Sequence, residues 1–275
     1  MWYRMFMGVG LVGLVLGSGC SIDHTPKRLP AYLTTVPPPT GEVAAVSHAL
    51  PQGEVTGALV VINDTGFPKS APGLQAGTRQ NLGEYLQAEI QKQLPLRLSS
   101  IVFPEALQPN GSAEPFVQLA KEQQVPFLLL AVVSSSEWEV PDRFPLGGFQ
   151  QGGLRGGGLV GYRAENYAHV ELALLDGLTG RSLVTTDGQA WATLERLAVP
   201  LESNVYPVVR REQSQPPIYP NSEGEAFETL RWVSGKDAIA QAVMHLEELW
   251  KKRRGLTGQR TGVSLEHLRD ERIYS

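Results

Sequence analysis

The chain has 275 residues, 42% of them apolar, with 24 basic and 28 acidic side chains, a formal net charge of −4 and one cysteine. That length suits one large domain, or one domain with extensions, and the apolar fraction supports a real core. The mildly acidic balance leaves no electrostatic footprint for nucleic acid, and a lone cysteine excludes an intrachain disulfide framework in any compartment.

The amino terminus reads as a processing signal. Arg4 is the only charge among the first 19 residues; Met5 to Leu16 is apolar, and Gly17-Ser18-Gly19 stands directly before Cys20. A basic start, a short apolar middle and a small-residue junction make a secretory signal. The run falls short of the roughly 20 apolar residues of a membrane span. The segment resembles the lipobox of bacterial lipoproteins, with Gly17 where those proteins usually have leucine. The resemblance implies removal of 1–19 and lipidation of Cys20, so that the protein holds the membrane through a lipid anchor. Ser21, after the cysteine, resembles an outer-membrane address, with the domain on the periplasmic face. No second long apolar run follows, so no helical span is expected beyond the signal.

Residues 20–56 read as the lipidated cysteine and a proline-rich tether, with Pro26, Pro30, Pro37, Pro38, Pro39 and Pro51 favouring extended, semi-rigid chain. A domain is expected over 57–254. It starts with Ala58-Leu59-Val60-Val61-Ile62, a continuous apolar run that predicts a strand buried on both faces. Leu82, Leu86 and Ile90 recur every fourth residue and predict an amphipathic helix over 74–94, stopped by Pro95. A strand over 96–103 and a short helix capped by Ser112 come next. A long strand over 127–140 starts apolar and turns polar at Ser134. Residues 147–161 hold eight glycines and read as a mobile loop. Val170, Leu172 and Leu174 alternate with His169, Glu171 and Ala173, which predicts a strand over 168–176 with His169 and Glu171 facing away from the core. Asp176-Gly177-Leu178-Thr179-Gly180 is a hairpin turn into a strand over 181–194. An irregular insertion, 195–222, precedes a helix over 223–254. There Ser234 with Asp237 suggests a restart cap, Lys251 to Arg254 suit the last turn and Gly255 a stop. Residues 255–275 read as a polar tail.

The chemistry-bearing patterns are sparse. His24, His48, His169, His245 and His267 are too scattered for metal-ligand spacing, so neither metal nor cofactor is expected. No nucleophile elbow, zincin motif or phosphate loop is present. Glu137 and Glu139 share a strand face, but nothing beside them supports a glycosidase. Gly152 to Gly158 lacks the strand–loop–helix setting that a phosphate cradle needs. Trp138 and Trp191 read as packing residues. The glycine-rich loop is the candidate partner contact, through Phe149, Leu154, Arg155, Leu159 and Tyr162.

The order of elements, the stretch "VPFLLLAVVSSSEWEV" at 125–140 and "HVELALLDGLTGRSL" at 169–183, with its Asp176…Thr179-Gly180 turn, resembles the curli-secretion channel lipoproteins (the CsgG-like family). It is similar also to the TolB amino-terminal domain and to the lipoprotein activators of penicillin-binding proteins. The expected fold is α/β: a mixed sheet of about five strands with an antiparallel hairpin, flanked by amphipathic helices. The expected function is a non-enzymatic, lipid-anchored domain that binds another envelope protein or oligomerises with itself. The alternatives are an oligomeric secretion channel, for which glycine-dense 141–164 makes poor spanning strand, and an envelope hydrolase with an unrecognised site.

Overall fold

The structure, a computed structural model, describes residues 25–33, 50, 53–105, 107, 109–145, 158–198, 205–211 and 215–266, the side chains of 254–266 excepted. The elements run α1 (Leu29–Tyr32), β1 (Val55–Asp64), α2 (Ala76–Gln93), β2 (Leu96–Val102), α3 (Glu114–Glu122), β3 (Phe127–Pro145), β4 (Gly158–Asp176), β5 (Ser182–Leu197), β6 (Val208–Arg211) and α4 (Glu223–Glu266). The fold is the expected α/β one, with six strands in the order β2-β1-β3-β4-β5-β6. β1 pairs in parallel with β2 and β3, as helical crossovers require. β3–β4, β4–β5 and β5–β6 are antiparallel. The sixth strand comes from inside the segment read as an irregular insertion.

Both faces of the sheet's centre are buried. On one face Leu59, Val61, Leu129, Ala131, Val170, Leu172 and Leu174 meet Leu82, Leu86 and Ile90 of α2 and Ile239, Ala242, Val243 and Leu246 of α4. On the other, Ala58, Val60, Ile62, Leu128, Leu130, Val132, Ala173 and Leu175 meet Phe116 and Ala120 of α3 and Leu29, Tyr32 and Leu33. A two-sided setting selects the continuous apolar runs in β1 and β3. It also overturns the expectation for β4: His169 and Glu171 do face away from Leu172, but into a second covered layer, and are 1% and 3% exposed.

The hairpin is longer than the sequence pattern suggested. β3 and β4 pair residue for residue from Phe127↔Asp176 to Pro145↔Gly158. Residues 141–145 and 158–164, read as poor strand, are therefore strand. What makes glycine acceptable at Gly161 is a neighbour: a Cβ there would lie 2.4 Å from the Phe144 ring and 2.3 Å from Arg196 O. The far ends of β4, β5 and β6 form a third cluster, in which Ala164, Ala192, Leu194 and Val209 pack under Ala226, Leu230 and Val233 of α4.

α4 is one continuous helix. Ser234 starts no new helix; its Oγ donates to Asn166 Oδ1 at 2.7 Å and to Leu230 O at 3.1 Å. Gly255 does not end the helix either, because residues 251–254 are followed by helical backbone to Glu266. The Asp176 turn behaves as read. Its Oδ1 accepts Leu178 N, Thr179 N and Thr179 Oγ1 at 2.8–3.0 Å, and Gly180 adopts φ +67°. Ser112 Oγ accepts from Glu114 N at 3.2 Å, near the start of α3.

Two substitutions check the packing. Leu172→Ala should cost about 2–5 kcal/mol, as for other buried leucines. Gly188→Ala should destabilise by roughly 1–3 kcal/mol or more, because its Cβ would meet Ala238 O at 2.3 Å and Ala242 N at 2.4 Å, both backbone. Gly224→Ala, with only Ser222 Oγ at 3.9 Å, is the control and should leave the urea midpoint nearly unchanged.

Candidate functional site

The segment 25–33, read as part of a free tether, is instead a strap laid on the sheet. Its apolar residues Leu29, Tyr32 and Leu33 follow i, i+3, i+4 spacing, so one helical turn turns all three to one side; Pro30 sits in that first turn, where it costs nothing. All three are buried beside β1 and α3. Gly111 N donates to Ala31 O at 2.9 Å, tying the strap to the loop before α3.

Charged and polar side chains pin the rest of the strap. The buried Glu171 carboxylate accepts the backbone N–H groups of Arg28 and Leu29 through one oxygen, the latter at 2.9 Å. These donors have no earlier helical carbonyl to bond, so the carboxylate serves as a cap supplied from another element. Arg28 Nε donates to Asp64 Oδ2 at 2.8 Å, with Asp64 buried. Burial and the adjacent Asp64 carboxylate push the Tyr32 hydroxyl up to about 12, against a smaller opposing effect of Arg28. Lys27 Nζ reaches Asp187 Oδ1 at 3.1 Å, and His169 Nε2 lies 3.2 Å from Asp187 Oδ2. Burial alone would raise the Asp187 carboxyl, but the hydrogen bonds and charges of Lys27 and His169 prevail and hold it below its ordinary value. Thr25 Oγ1 donates to Tyr167 O at 2.7 Å, accepts from Ser136 N at 3.2 Å and lies 2.9 Å from Ser136 Oγ.

From the Glu171 row to the Tyr167 row the strap runs along β4 toward the far end of the hairpin, a span of roughly 13 Å at strand rise. Immediately beyond Thr25 on this face stand three aromatic rings, one from each of three adjacent strands. Trp138 of β3 stacks on Tyr167 of β4 at 4.8 Å and 15°, and Tyr167 on Trp191 of β5 at 6.1 Å and 16°. All three are half-buried and lie outside the three core clusters. The packing expected of Trp138 and Trp191 is thus a surface ladder bridged by Tyr167. Next along the strands Arg163 pairs with Asp142 at 2.9 Å and Glu195 at 3.5 Å, and Arg210 pairs with Glu195 at 3.3 Å. Val140 is 46% exposed beside them.

The opposite face at this end is a buried polar network under α4. Arg231 donates to both oxygens of Glu137, at 2.8 and 2.9 Å, and to Glu228 at 2.8 Å. Burial opposes its charge, but Glu137 and Glu228 outweigh that and raise its pKa. Glu139 takes the fork of Arg196 at 2.7 and 3.0 Å. The two carboxylates that share this strand face are therefore each bound by an arginine, which is structural bonding.

The residues expected to contact a partner are divided. Phe149, Leu154 and Arg155 lie outside the described residues, as does Cys20. Leu159 and Tyr162 belong to β4 and not to a loop. Leu159 is half-buried opposite Phe144, and the Tyr162 ring carries the Arg196 guanidinium at 4.7 Å. Among the described residues no group of three or more metal-ligating side chains occurs, and no helix is long and apolar enough to cross a membrane. The strap was missed because its apolar residues span a single turn between prolines; the spacing of Leu29, Tyr32 and Leu33 was the one available signal.

No family model matches the chain, and no curated protein matches it. Among solved structures it is similar to the PelC dodecamer from Paraburkholderia phytofirmans, at 15% identity over 70% of this chain and 91% of that one, with a TM-score of 0.27. A neuraminyllactose-binding hemagglutinin homolog from Helicobacter pylori is 8% identical over 80% of this chain and 95% of that one, with a TM-score of 0.36. The hypothetical protein CT253 from Chlamydia trachomatis is 13% identical over 71% and 96%, with a TM-score of 0.33.

Replacing Glu171 by Ala should strip two buried N–H groups of their acceptor, at about 1–3 kcal/mol, and make the chain near residue 33 cleavable by limited proteolysis. Because the Asp187 carboxyl is held low, its hold on Lys27 is present at neutral pH and is lost as pH falls through and below about 4. Protease sensitivity of the strap should rise in that acid window, and Asp187→Asn should show the raised sensitivity already at pH 7.

Proposed function

We propose that this chain is a lipid-anchored domain on the periplasmic face of the outer membrane, binding another envelope protein or a second copy of itself without catalysing a reaction. The signal layout ending at Cys20 supports the anchor. The observation that carries the reading is the strap: Thr25 is already bonded to β3 and β4. Only residues 21–24 separate it from Cys20, and five residue steps span at most about 17 Å. A lipid on Cys20 would therefore hold the domain close against the membrane. The proline run at 37–39 does not lengthen that connection, since it follows the docked Leu33.

A binding role is supported by how the charged groups are used. Glu171, Asp64, Glu137 and Glu139 are each bound by backbone N–H groups or arginines. An acid–base site needs such groups facing a cleft instead. The channel reading has one feature in its favour, since nineteen-residue strands exceed the 9–11 residues of a spanning strand. Against it, the far half of the hairpin carries Glu139 and Arg143 on one face and Asp142, Arg163 and Glu165 on the other. A strand with charge on both faces offers no lipid-facing side.

Cys20→Ser should abolish fatty-acid labelling and release the protein from membranes. Labelled, membrane-bound Cys20→Ser protein would refute the anchor. Because one acyl chain holds only marginally, stable anchoring of the wild type predicts more than one chain by mass spectrometry. Sizing of detergent-extracted protein should give a monomer or small complex; a large ring would favour the channel.

A further inference from the structure

We infer that the aromatic ladder Trp138–Tyr167–Trp191 lies against the lipid headgroups of the membrane that carries the anchor. This rests on the lipidation of Cys20 proposed above. The ladder is the one run of three stacked rings among the described residues, formed by adjacent strands and left half-open. Large exposed apolar residues elsewhere are scattered: Leu178 lies in a turn, Val160 on the opposite face of β4, and Met244 on α4.

Position decides the occupant. Thr25 bonds to the backbone carbonyl of Tyr167, the middle ring of the ladder, and to Ser136, two residues from Trp138. The strap approaches Thr25 from Leu29, bonded at Glu171, so its direction along β4 leads to the ladder's end of the sheet. The reach of about 17 Å between Thr25 and Cys20 confines a lipid on Cys20 to the neighbourhood of these rings. A surface tied so closely to acyl chains meets the membrane before it meets any diffusing partner.

The chemistry of the face suits that level of a bilayer. Tryptophan and tyrosine favour the membrane–water interface, where an apolar ring and a polar tip are both satisfied. Most charges around the ladder are paired, Arg163 with Asp142 and Glu195, Arg210 with Glu195, and Lys27 with Asp187, while Glu165, opposite Trp138, accepts the Tyr167 hydroxyl at 3.4 Å. Such pairs are tolerated among headgroups without the net repulsion that an acidic patch would meet at anionic lipid.

The test uses the full-length, processed lipoprotein reconstituted into phosphatidylethanolamine–phosphatidylglycerol vesicles, with acyl chains brominated either near the headgroup or near the tail. Four of the five tryptophans remain after removal of 1–19, namely 138, 191, 232 and 250. Shallow bromines should quench up to roughly half of the emission, and deep ones clearly less, as expected for rings at the interface. Trp138→Phe/Trp191→Phe should abolish the shallow quenching. Should that variant misfold, the depth dependence in the wild type decides alone. Fatty-acid labelling of the same preparation separates the two ideas. Labelled protein without quenching overturns the inference and leaves the anchor standing, whereas absence of label overturns the anchor. Rings that are protected from hydroxyl-radical oxidation in whole envelopes but unquenched in vesicles would mean a protein covers the ladder, which also overturns the inference.

Discussion

Everything in this fold is built against the pairing of β3 with β4. Nineteen residues of each strand face one another without a break in register, and that pair has β1 on one side and β5 on the other. A side-chain period of two makes register consequential: a slip of one residue would exchange every side chain between faces. Here the exchange would carry Val170, Leu172 and Leu174 away from α2 and α4 and bring Glu171 and His169 beneath them. The α4 face at this level is lined by Ala238, Ile239, Ala242 and Val243, whereas the opposite face supplies the N–H groups of Arg28 and Leu29. Register and strap are thus specified together: apolar side chains choose one face, and a buried carboxylate is acceptable on the other only because a backbone donor pair covers it.

The core of the sheet was legible because apolar runs and periodicity are local. Ala58 to Ile62, Leu82-Leu86-Ile90 and the Asp176 turn each carry their instruction within a few residues. The strap was not legible, because a single turn flanked by prolines has no period to read and its binding site is made by residues 36 to 160 positions later. Strand alternation turns His169 and Glu171 away from the core, and that rule leaves such residues in solvent only in one-sided sheets. The polar residues of an alternating strand reveal which face differs, but not whether that face is wet. The same limit applies to the ladder: Trp138, Tyr167 and Trp191 lie far apart in sequence, and only strand order makes them neighbours.

Glycine density misled in another way. Residues 158–164 look like flexible chain by composition, yet Gly161 is strand because the Phe144 ring occupies the space a side chain would need. Phe144 in turn is held by Tyr206 at 5.2 Å, from the stretch read as an irregular insertion. The same stretch supplies β6, whose Val209 pairs on one side with Leu194 and bridges on the other to Ile218. A proline-rich segment can therefore cover part of a sheet edge, here Ala192 to Glu195 of β5, and so shorten the stretch open to a neighbouring chain.

The two faces at the far end of the hairpin are finished by different physics, and that difference bears on function. Under α4 the polar groups are arranged to be enclosed: Arg231 is held on two carboxylates, Asn166 joins Glu137 to Ser234, and Thr78 of α2 reaches the other oxygen of Glu228 at 2.8 Å. Each lone pair left without a donor there would carry the cost of a buried unsatisfied group, so the network is closed and rigid. The opposite face has paired charges at moderate exposure and rings covered on one side only. Groups of that kind lose little in water and little among lipid headgroups. A surface finished in this way can be wetted or covered with almost no change in internal bonding, which suits the membrane contact proposed for it.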